Sequence, residues 1–322
     1  MTSRIAVIGG GQNCEHEVSL ASAAGIADAL EQSGYRPVRL TIGRDGGWHD
    51  EYGTRLGLAA AVTVLQSCVA AVPALHGPHG EDGTIAALLE LAGVPYVGSG
   101  VRAGALAMDK HATKLLASSV GVATAPGVLL DPTRAAAYRW SHPVVVKPVG
   151  AGSSQGVSLV SNAGELEAAL AAAFALDDRV LVEDVVVGRE IDLAVLRRPD
   201  GTREVAPALE IVVDGLFDLD TKYDGSADFR IPATLTEREL SALETAAVTV
   251  FDALGCAGVA RVDFFLTADG PVLNEVNTMP GFTAASQVPK MFAAAGIGYA
   301  ELLDLLVTDA LAASGSVVPL PA

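Results

Sequence analysis

Cysteine is scarce in this 322-residue chain: Cys14, Cys68 and Cys256 are the only three. They are odd in number and far apart, with no CxxC pair and no histidine at zinc-finger spacing, which excludes a disulfide framework and fits a reduced compartment. Long apolar runs are lacking too. Half of the residues are hydrophobic, yet no stretch reaches the ~18 uninterrupted apolar residues of a membrane span, and the opening RIAVIGG reads as a strand rather than a secretory leader. The expectation is a soluble protein of the cytoplasm with no membrane partner. Positive charge is short: 21 Lys and Arg against 38 Asp and Glu leave a formal net charge of -17. No Lys or Arg cluster into a basic stripe, so nucleic acid is not an expected partner. A small anion is still admitted, because screening over roughly 8 Å lets a few local lysines outweigh distant carboxylates.

Several catalytic patterns are also incomplete. Gly152-Ser153-Ser154-Gln155-Gly156 spells G-x-S-x-G, but a nucleophile elbow needs a helix after the turn and a later histidine. Here the turn leads into the strand GVSLV, and no histidine follows His142. A Walker A loop is absent. Gly9-x-Gly11 lacks the third glycine of a dinucleotide fingerprint, Cys14 standing there, and the second strand ends in TIGR without the acid that would hold a ribose. HGPHGEDG, residues 76–83, offers two histidines and two acids, but no further ligand at a zinc interval, and reads as a loop that caps the next helix.

What is present is an alternation of strands and helices, long enough for two or three domains. Residues 4–42 read as strand, glycine-rich turn, amphipathic helix and a second strand after Ser33-Gly34, a βαβ unit that predicts a parallel sheet. A third strand (VAAVPALHG), a helix (TIAALLELAG) and a short strand (VPYVG) complete an α/β domain ending near residue 99. A helix carrying MDKHATKLLASSVG, a turn at TAPG and a strand HPVVVKP lead to the serine loop, which joins strand to strand. The helix AGELEAALAAAFA and the strand RVLVED follow. Beyond them the pattern turns antiparallel, with a hairpin at Pro199-Asp200-Gly201. The polar stretch from Phe217 to Pro232 reads as a surface loop or a lid. A helix from about Thr236 to Leu254, a hairpin GVARVDFFLTADGPVLNEVN and a helix from about Tyr299 to Ala313 finish the chain. The expected fold class is mixed α/β.

Within the last hairpin, the two-residue period puts Arg261, Asp263 and Phe265 on one face, and Leu273, Glu275 and Asn277 on one face. Asp263, Glu275 and Asn277 can then converge as hard oxygen ligands on magnesium, with Arg261 beside them to meet negative charge; a solvated polar face is the plain alternative. Lys147 ends a strand just before the Gly/Ser loop, whose backbone N–H groups can approach an anion, unless the loop is a simple hairpin turn. Glu15, at the start of the first helix, is placed either to hold a substrate ammonium or simply to be solvated.

Eight segments in order, EHEVSLAS, HGPHGEDGT, GVPYVGSGVRAGALAMDKHATK, VVVKPVGAGSSQGVS, VLVEDVVVGREI, DTKYD, ARVDFFL and LNEVNTMPGFTAASQVP, resemble the ATP-grasp ligases, and within them the D-alanine:D-alanine ligase family. The resemblance runs over nearly the whole chain. It implies a three-domain ATP-grasp architecture: residues 1–99 an N-terminal α/β substrate domain, 100–186 a central domain and 187–322 a C-terminal domain with the metal site. The nucleotide lies between the last two. The implied reaction joins two D-alanine molecules into D-alanyl-D-alanine through an acyl phosphate, for peptidoglycan precursors, with ATP and Mg2+ (or Mn2+) as cofactors and a homodimer as the suggested assembly.

Carried over residue by residue, the resemblance implies that Lys110 and Lys147 meet the ATP phosphates with Ser154 in the same nucleotide set. Glu183 and Val186 would lie by the adenine, Glu190 would bind the ribose, and Asp263, Glu275 and Asn277 would hold the metal. Glu15 is implied to bind the first D-alanine ammonium, with His76 near its carboxylate, and Ser153 and Tyr223 to link to Glu15. Arg261 and the Gly281 N–H would stabilise the tetrahedral oxyanion, Ser286 would hold the second carboxylate, and Lys222 would reach the transferred phosphate. An acyl phosphate hydrolyses in water, so the segment around Lys222 and Tyr223 is expected to close as a lid with the serine loop.

Two features depart from the family pattern. Gln155 replaces an apolar residue in GSSxG, and GGGQNC replaces a shorter turn with a serine two residues before the glutamate. Both flank the first-substrate pocket, and they keep open a sibling ligase with another donor or acceptor, such as D-serine or an amino acid of a specialised pathway. The Lys222-Tyr223 pair resembles the D-alanine-selecting members. A non-catalytic nucleotide-binding regulator is the rival from another class, and a competent residue at every implied position speaks against it.

Overall fold

The computed structural model describes residues 2–212 and 228–314. Strand β1 (Arg4–Gly10) buries Ile5, Ala6, Val7 and Ile8 in succession, as a parallel strand covered on both faces must. Helix α1 (His16–Gln32) crosses over to β2 (Arg36–Ile42), parallel to β1. The short strands β3 (Trp48–His49) and β4 (Arg55–Leu56) extend that edge, and α2 (Leu58–Gln66) leads to β5 (Ala70–Pro73), parallel to β1 on its other side. The sheet order is β4-β3-β2-β1-β5, followed by α3 (Thr84–Leu91). The expected strand VPYVG reduces to one bridge, Ala71 to Tyr96.

Helices α4 (Val101–Met108) and α5 (Lys110–Ser119) and the strand β6 (Ala123–Thr124) come next. A four-stranded antiparallel sheet follows from β7 (Gly127–Leu130), β8 (Val144–Pro148), β9 (Ser158–Val160) and β10 (Val180–Asp184), in the order β7-β10-β8-β9, with α6 (Pro132–Ala137) and α7 (Leu166–Phe174) in its connections. The third sheet holds β11 (Arg189–Arg197), β12 (Arg203–Val205), β13 (Leu209–Val212), β14 (Asp228–Arg230), β15 (Val259–Thr267) and β16 (Gly270–Asn277). Its order is β14-β13-β11-β15-β16-β6, with β12 paired to β11. The strand β14 falls where an irregular stretch was expected, and Phe229 packs it onto the core. Helices α8 (Glu237–Leu254), α9 (Gln287–Ala294) and α10 (Tyr299–Ser314) complete the fold. No single helix among the described residues is long and apolar enough to cross a membrane.

Packing does not follow chain order. One core joins β1, α1 and β5 to one face of the third sheet and to α9 and α10, through Val7, Ile26, Leu196, Val288, Phe292 and Leu303. The opposite face of the third sheet packs on α8, and Ala103, Ala107, Ala117 and Val122 of the α4–β6 stretch join that core. The four-stranded sheet has a core of its own, made of Leu130, Val144, Val146, Val160, Ala169, Leu170, Ala173, Val180 and Val182. It is a small lobe standing against a larger frame, and the site lies between them.

Candidate active site

Two cavities, of about 340 Å³ and about 560 Å³, open along this junction. Every candidate residue within the described part of the chain lines one or both; Lys222 and Tyr223 lie outside the described residues. The smaller cavity is lined by Glu15, His76, Lys110, Ser153, Arg261, Glu275, Asn277, Gly281 and Ser286. The larger is lined by Lys110, Lys147, Ser154, Glu183, Val186, Glu190, Arg261, Asp263 and Glu275. Lys110, Ala151, Arg261 and Glu275 border both, so the cavities meet at a patch of two cations and a carboxylate.

Glu15 sits at the N-terminus of α1 without capping it. The Asn13 carboxamide sets it in place: Oδ1 accepts the Glu15 N–H at 2.9 Å, while Nδ2 donates to the carbonyls of His76 at 2.7 Å and Pro78 at 2.9 Å. The GGGQNC turn therefore fastens Glu15 to the 76–78 loop, a job for Asn13 that the sequence reading missed. Backbone crowds the carboxylate on two sides. A Cβ on Gly77, whose φ is +68°, would lie 2.5 Å from Glu15 Oε2, and one on Gly152 would lie 3.0 Å from it. Across the junction, Ser153 Oγ donates to Glu15 Oε1 at 2.5 Å.

The serine loop is a tight turn, with the Gln155 N–H bonded to the Gly152 carbonyl at 3.1 Å. Ser153 and Ser154 hold φ of 50° and 55°. Left-handed backbone costs a residue with a Cβ roughly 1–2 kcal/mol, so bonds such as Ser153 to Glu15, and Lys110 Nζ to the Ala151 carbonyl at 2.7 Å, must hold the turn. The Cys14 thiol, pushed upward by its partial burial and by the Glu15 charge, hydrogen-bonds the Gln155 side chain. The two departures from the family pattern thus touch each other beside Glu15.

His76 is buried, with both ring nitrogens engaged. Nδ1 lies 2.8 Å from the Met279 carbonyl, so it carries the proton, and Nε2 accepts from Ser22 Oγ at 3.0 Å. Burial pushes the imidazole below its ordinary value and keeps it neutral. Ser22 Oγ in turn accepts the Phe282 N–H at 3.2 Å. Glu81, which the sequence reading passed over as part of a capping loop, lines the smaller cavity and accepts N–H groups from Gly77 at 2.9 Å and Met279 at 3.4 Å. Burial, aided by the nearby Glu15 charge, raises its carboxyl to about 8. These bonds anchor the 279–282 stretch that presents the Gly281 N–H. Ser286 caps no helix bond; its hydroxyl turns to Thr283, within 3.0 Å of the Thr283 N–H. The N-terminus of α9 is left to receive an anion.

The hairpin β15–β16 corrects one expectation. Asp263 pairs with Glu275 and Arg261 with Asn277, but the register shifts after Asp263, so Phe264 pairs with Leu273 and Asn274 is the extra residue of a bulge. Leu273 is fully buried in the core with Phe264, on the opposite face from Glu275 and Asn277, because the bulge resets the alternation that the two-residue period assumed. The bulge also brings Asn274 to the larger cavity, where its Oδ1 lies 3.3 Å from Lys147 Nζ.

Arg261 grips Asp263 with two bonds of 2.7 Å and reaches Gln287 Oε1 at 2.7 Å. Burial opposes its charge, but Asp263, Asp192 and Glu275 outweigh it and hold the guanidinium protonated. Asp263 also accepts from Asn277 Nδ2 at 3.0 Å, leaving the Asn277 oxygen uncommitted to that bond, and Lys110 Nζ lies 3.5 Å from Glu275 Oε2. Facing carboxylates repel unless cations stand beside them. The set of two carboxylates and an amide oxygen is the hard donor chemistry magnesium takes, and it falls short of a full protein cage: among the described residues no three His, Cys, Asp or Glu are grouped to hold an ion. Phosphate oxygens would complete such a site.

A nucleotide-sized cleft between a small antiparallel lobe and a larger sheet, with lysines on one side and an acidic hairpin on the other, defines an ATP-grasp enzyme. The family description "D-ala D-ala ligase C-terminus" matches residues 129–308, and "D-ala D-ala ligase N-terminus" matches 4–63 and 54–99. The chain is 41% identical to the D-alanine–D-alanine ligase of Mycobacterium ulcerans, over 96% of this chain and 95% of that protein. The VanG D-Ala:D-Ser ligase of Enterococcus faecalis superposes with a TM-score of 0.84 at 33% identity, covering 95% of this chain and 99% of the other. The D-alanine–D-alanine ligase of Bacillus anthracis, complexed with ATP, does so with 0.81 at 28%, covering 98% and 99%. This chain belongs to the D-alanine–D-alanine ligase family.

Proposed function

We propose that the two cavities divide one reaction, the larger taking the nucleotide and the smaller two amino acids, in an enzyme organised as domains 1–99, 100–186 and 187–322 and working in the cytoplasm, where ATP is supplied. The enzyme is an ATP-dependent ligase that makes D-alanyl-D-alanine for peptidoglycan synthesis, with ATP and Mg2+ as its cofactors. A homodimer belongs to the same proposal, from the family resemblance. The observation that carries the division of labour is the shared border of Lys110, Ala151, Arg261 and Glu275: a γ-phosphate entering from one cavity and a carboxylate from the other meet there.

Lys110 and Lys147 neutralise phosphate oxygens as the phosphoryl group passes to the first carboxylate. Val186 and Glu190 line the nucleotide cavity for adenine and ribose, and Ser154 faces the phosphates from the serine turn. Asp263, Glu275 and Asn277 would hold magnesium, which when bound supplies further charge neutralisation at the phosphates. Glu15 receives the donor ammonium, with Ser153 fixing its carboxylate. The neutral amine of the second amino acid then attacks the acyl phosphate carbon, and the resulting tetrahedral oxyanion collapses by breaking the C–O bond to phosphate, the departing phosphate taking the surplus proton of the amine. Arg261 and the Gly281 N–H face the developing oxyanion, while Ser286 and the N-terminus of α9 hold the acceptor carboxylate. No enzyme nucleophile is required, so Ser154 has no attacking role. Lys222 and Tyr223 complete the closing lid in this proposal.

A sibling specificity stays as the second reading because Cys14 and Gln155 meet beside Glu15. Phosphate release on mixing enzyme, ATP and magnesium with single amino acids and pairs, followed by product identification, tests both. Turnover with D-alanine alone is expected. Turnover only with another amino acid, such as D-serine as the partner, would replace the first reading by the second.

A further inference from the structure

Helix α5 places Lys114 one turn after Lys110, so the two ammonium groups leave the same face of the helix toward the larger cavity. Lys114 is 6% exposed, and its Nζ lies 2.7 Å from Glu183 Oε1. The other oxygen of Glu183 is taken by Lys147, at 2.6 Å. Glu183, 4% exposed, therefore holds one lysine on each oxygen. Lys147 has a further acceptor in Asn274 Oδ1.

Two ammonium groups share one carboxylate in a place sheltered from water, so each sheltered ammonium charge is only partly offset there, with Glu275, itself 3.5 Å from Lys110, as a further acid nearby. Sheltering such a charge is costly unless an anion arrives to offset it. A phosphate drawing Lys147 away would strand the Glu183 carboxylate if Lys147 were its only partner. With Lys114 in place, Glu183 keeps a neutralising partner 2.7 Å away.

We propose that Lys114 is a positioning residue of the nucleotide site: it holds the Glu183 carboxylate in place and compensated, so that Lys147 is free to exchange Glu183 for the nucleotide's phosphates. The inference rests on the assignment of the larger cavity to the nucleotide. Lys114 acts through Glu183 rather than on the reacting atoms. Burial, together with repulsion from Lys147, pushes the Lys114 ammonium down to about 8, against the pull of Glu183 and Glu275. The charged groups facing it are Lys147 on β8, Glu183 on β10 and Glu275 on β16, with Lys110 on its own helix. As pH rises through that value, Lys114 loses its proton and Glu183 again competes with the phosphates for Lys147. Nucleotide affinity falls.

The test is titration calorimetry of ADP with magnesium into the full-length enzyme and its Lys114→Met, Lys114→Arg, Lys147→Met and Lys114→Met/Glu183→Gln variants, alongside KM for ATP and for D-alanine. Lys114→Met is expected to weaken ADP about tenfold, equivalent to about 1.4 kcal/mol, and to raise the ATP KM without raising that for D-alanine. Lys114→Arg should restore binding and abolish the alkaline fall in affinity expected of the wild type near pH 8, since arginine keeps its charge there. The double variant should bind better than Lys114→Met, because the stranded carboxylate is gone. ADP bound as tightly by Lys114→Met as by the wild type, or no gain in the double variant, overturns the inference. Should Lys114→Met fail to fold, the pH profiles of wild type and Lys114→Arg decide: identical alkaline limbs overturn it. Lys147→Met separates the two levels, since unchanged ADP affinity there would sink the nucleotide assignment itself, whereas weakened affinity beside an intact Lys114→Met sinks only the inference.

Discussion

At the scale of single residues, the site is held by side chains whose partners lie far away in the chain. Glu81 bonds the N–H groups of Gly77 and Met279, and its carboxyl is raised to about 8 by burial and by Glu15. The folded protein keeps that proton over a range in which the unfolded chain, with a glutamate near 4.5, has released it. The unfolded state then binds fewer protons, so stability falls as pH rises from about 4.5 to about 8 and levels off above. Glu81→Gln, neutral at every pH, should melt a few degrees higher than wild type at pH 8, with little difference at pH 5. Equal pH dependence of the two melting temperatures would refute the shift. Glu15, Lys147 and Arg261, which line the cavities, were singled out from the sequence because the patterns around them are local, whereas Lys110 was named only through the family resemblance. Glu81, Asn13 and Lys114 were not singled out, because their importance comes from partners 2.7 to 3.4 Å away in space and distant in the chain, such as Met279, His76 and Glu183.

Elements divide along the same line. Helix α8 was legible to within a residue: Thr236 and Glu239 form a capping box, Gly255 ends the helix in a left-handed conformation, and both signals lie next to the turns they make. Thr236→Ala should cost roughly 1 kcal/mol of stability, read as a lower urea midpoint with unchanged slope. In β16 the local pattern misled, because a bulge is settled by the partner strand. Once Phe264 and Leu273 both enter the core while Asp263 and Glu275 both face the cavity, the spare residue Asn274 has to be accommodated between them. The strand VPYVG failed for a related reason: its pairing to the sheet comes down to a single bridge, between Tyr96 and Ala71. The hairpin at Pro199-Asp200-Gly201, whose turn chemistry is self-contained, formed as read.

Across the whole molecule, the fold class and the order of the elements were legible, but the sharing of cores was not. Residues 4–30 pack with residues 288–310 in one continuous core, while the 130–182 lobe keeps its own. A unit with few buried side chains opens more readily than the frame to which it is joined. Leu170→Ala, on α7 in that small core, should cost about 2–5 kcal/mol locally. Amide exchange should accelerate across residues 127–184 while β1 and β15 keep their protection. Loss of protection in all three sheets together would show instead that lobe and frame unfold as one.

The bond from Ser153 to Glu15 joins that lobe to the frame through the carboxylate proposed to receive the donor ammonium. On that proposal one acid serves both as mooring and as berth. The charge state of whatever lies beside Glu15 is transmitted to a turn already held in left-handed backbone, so a zwitterionic amino acid and a bare carboxylic acid would leave the lobe tethered with different firmness before any phosphate moves. Recognition of the first substrate is in this way also a measure of how tightly the two halves of the enzyme are tied.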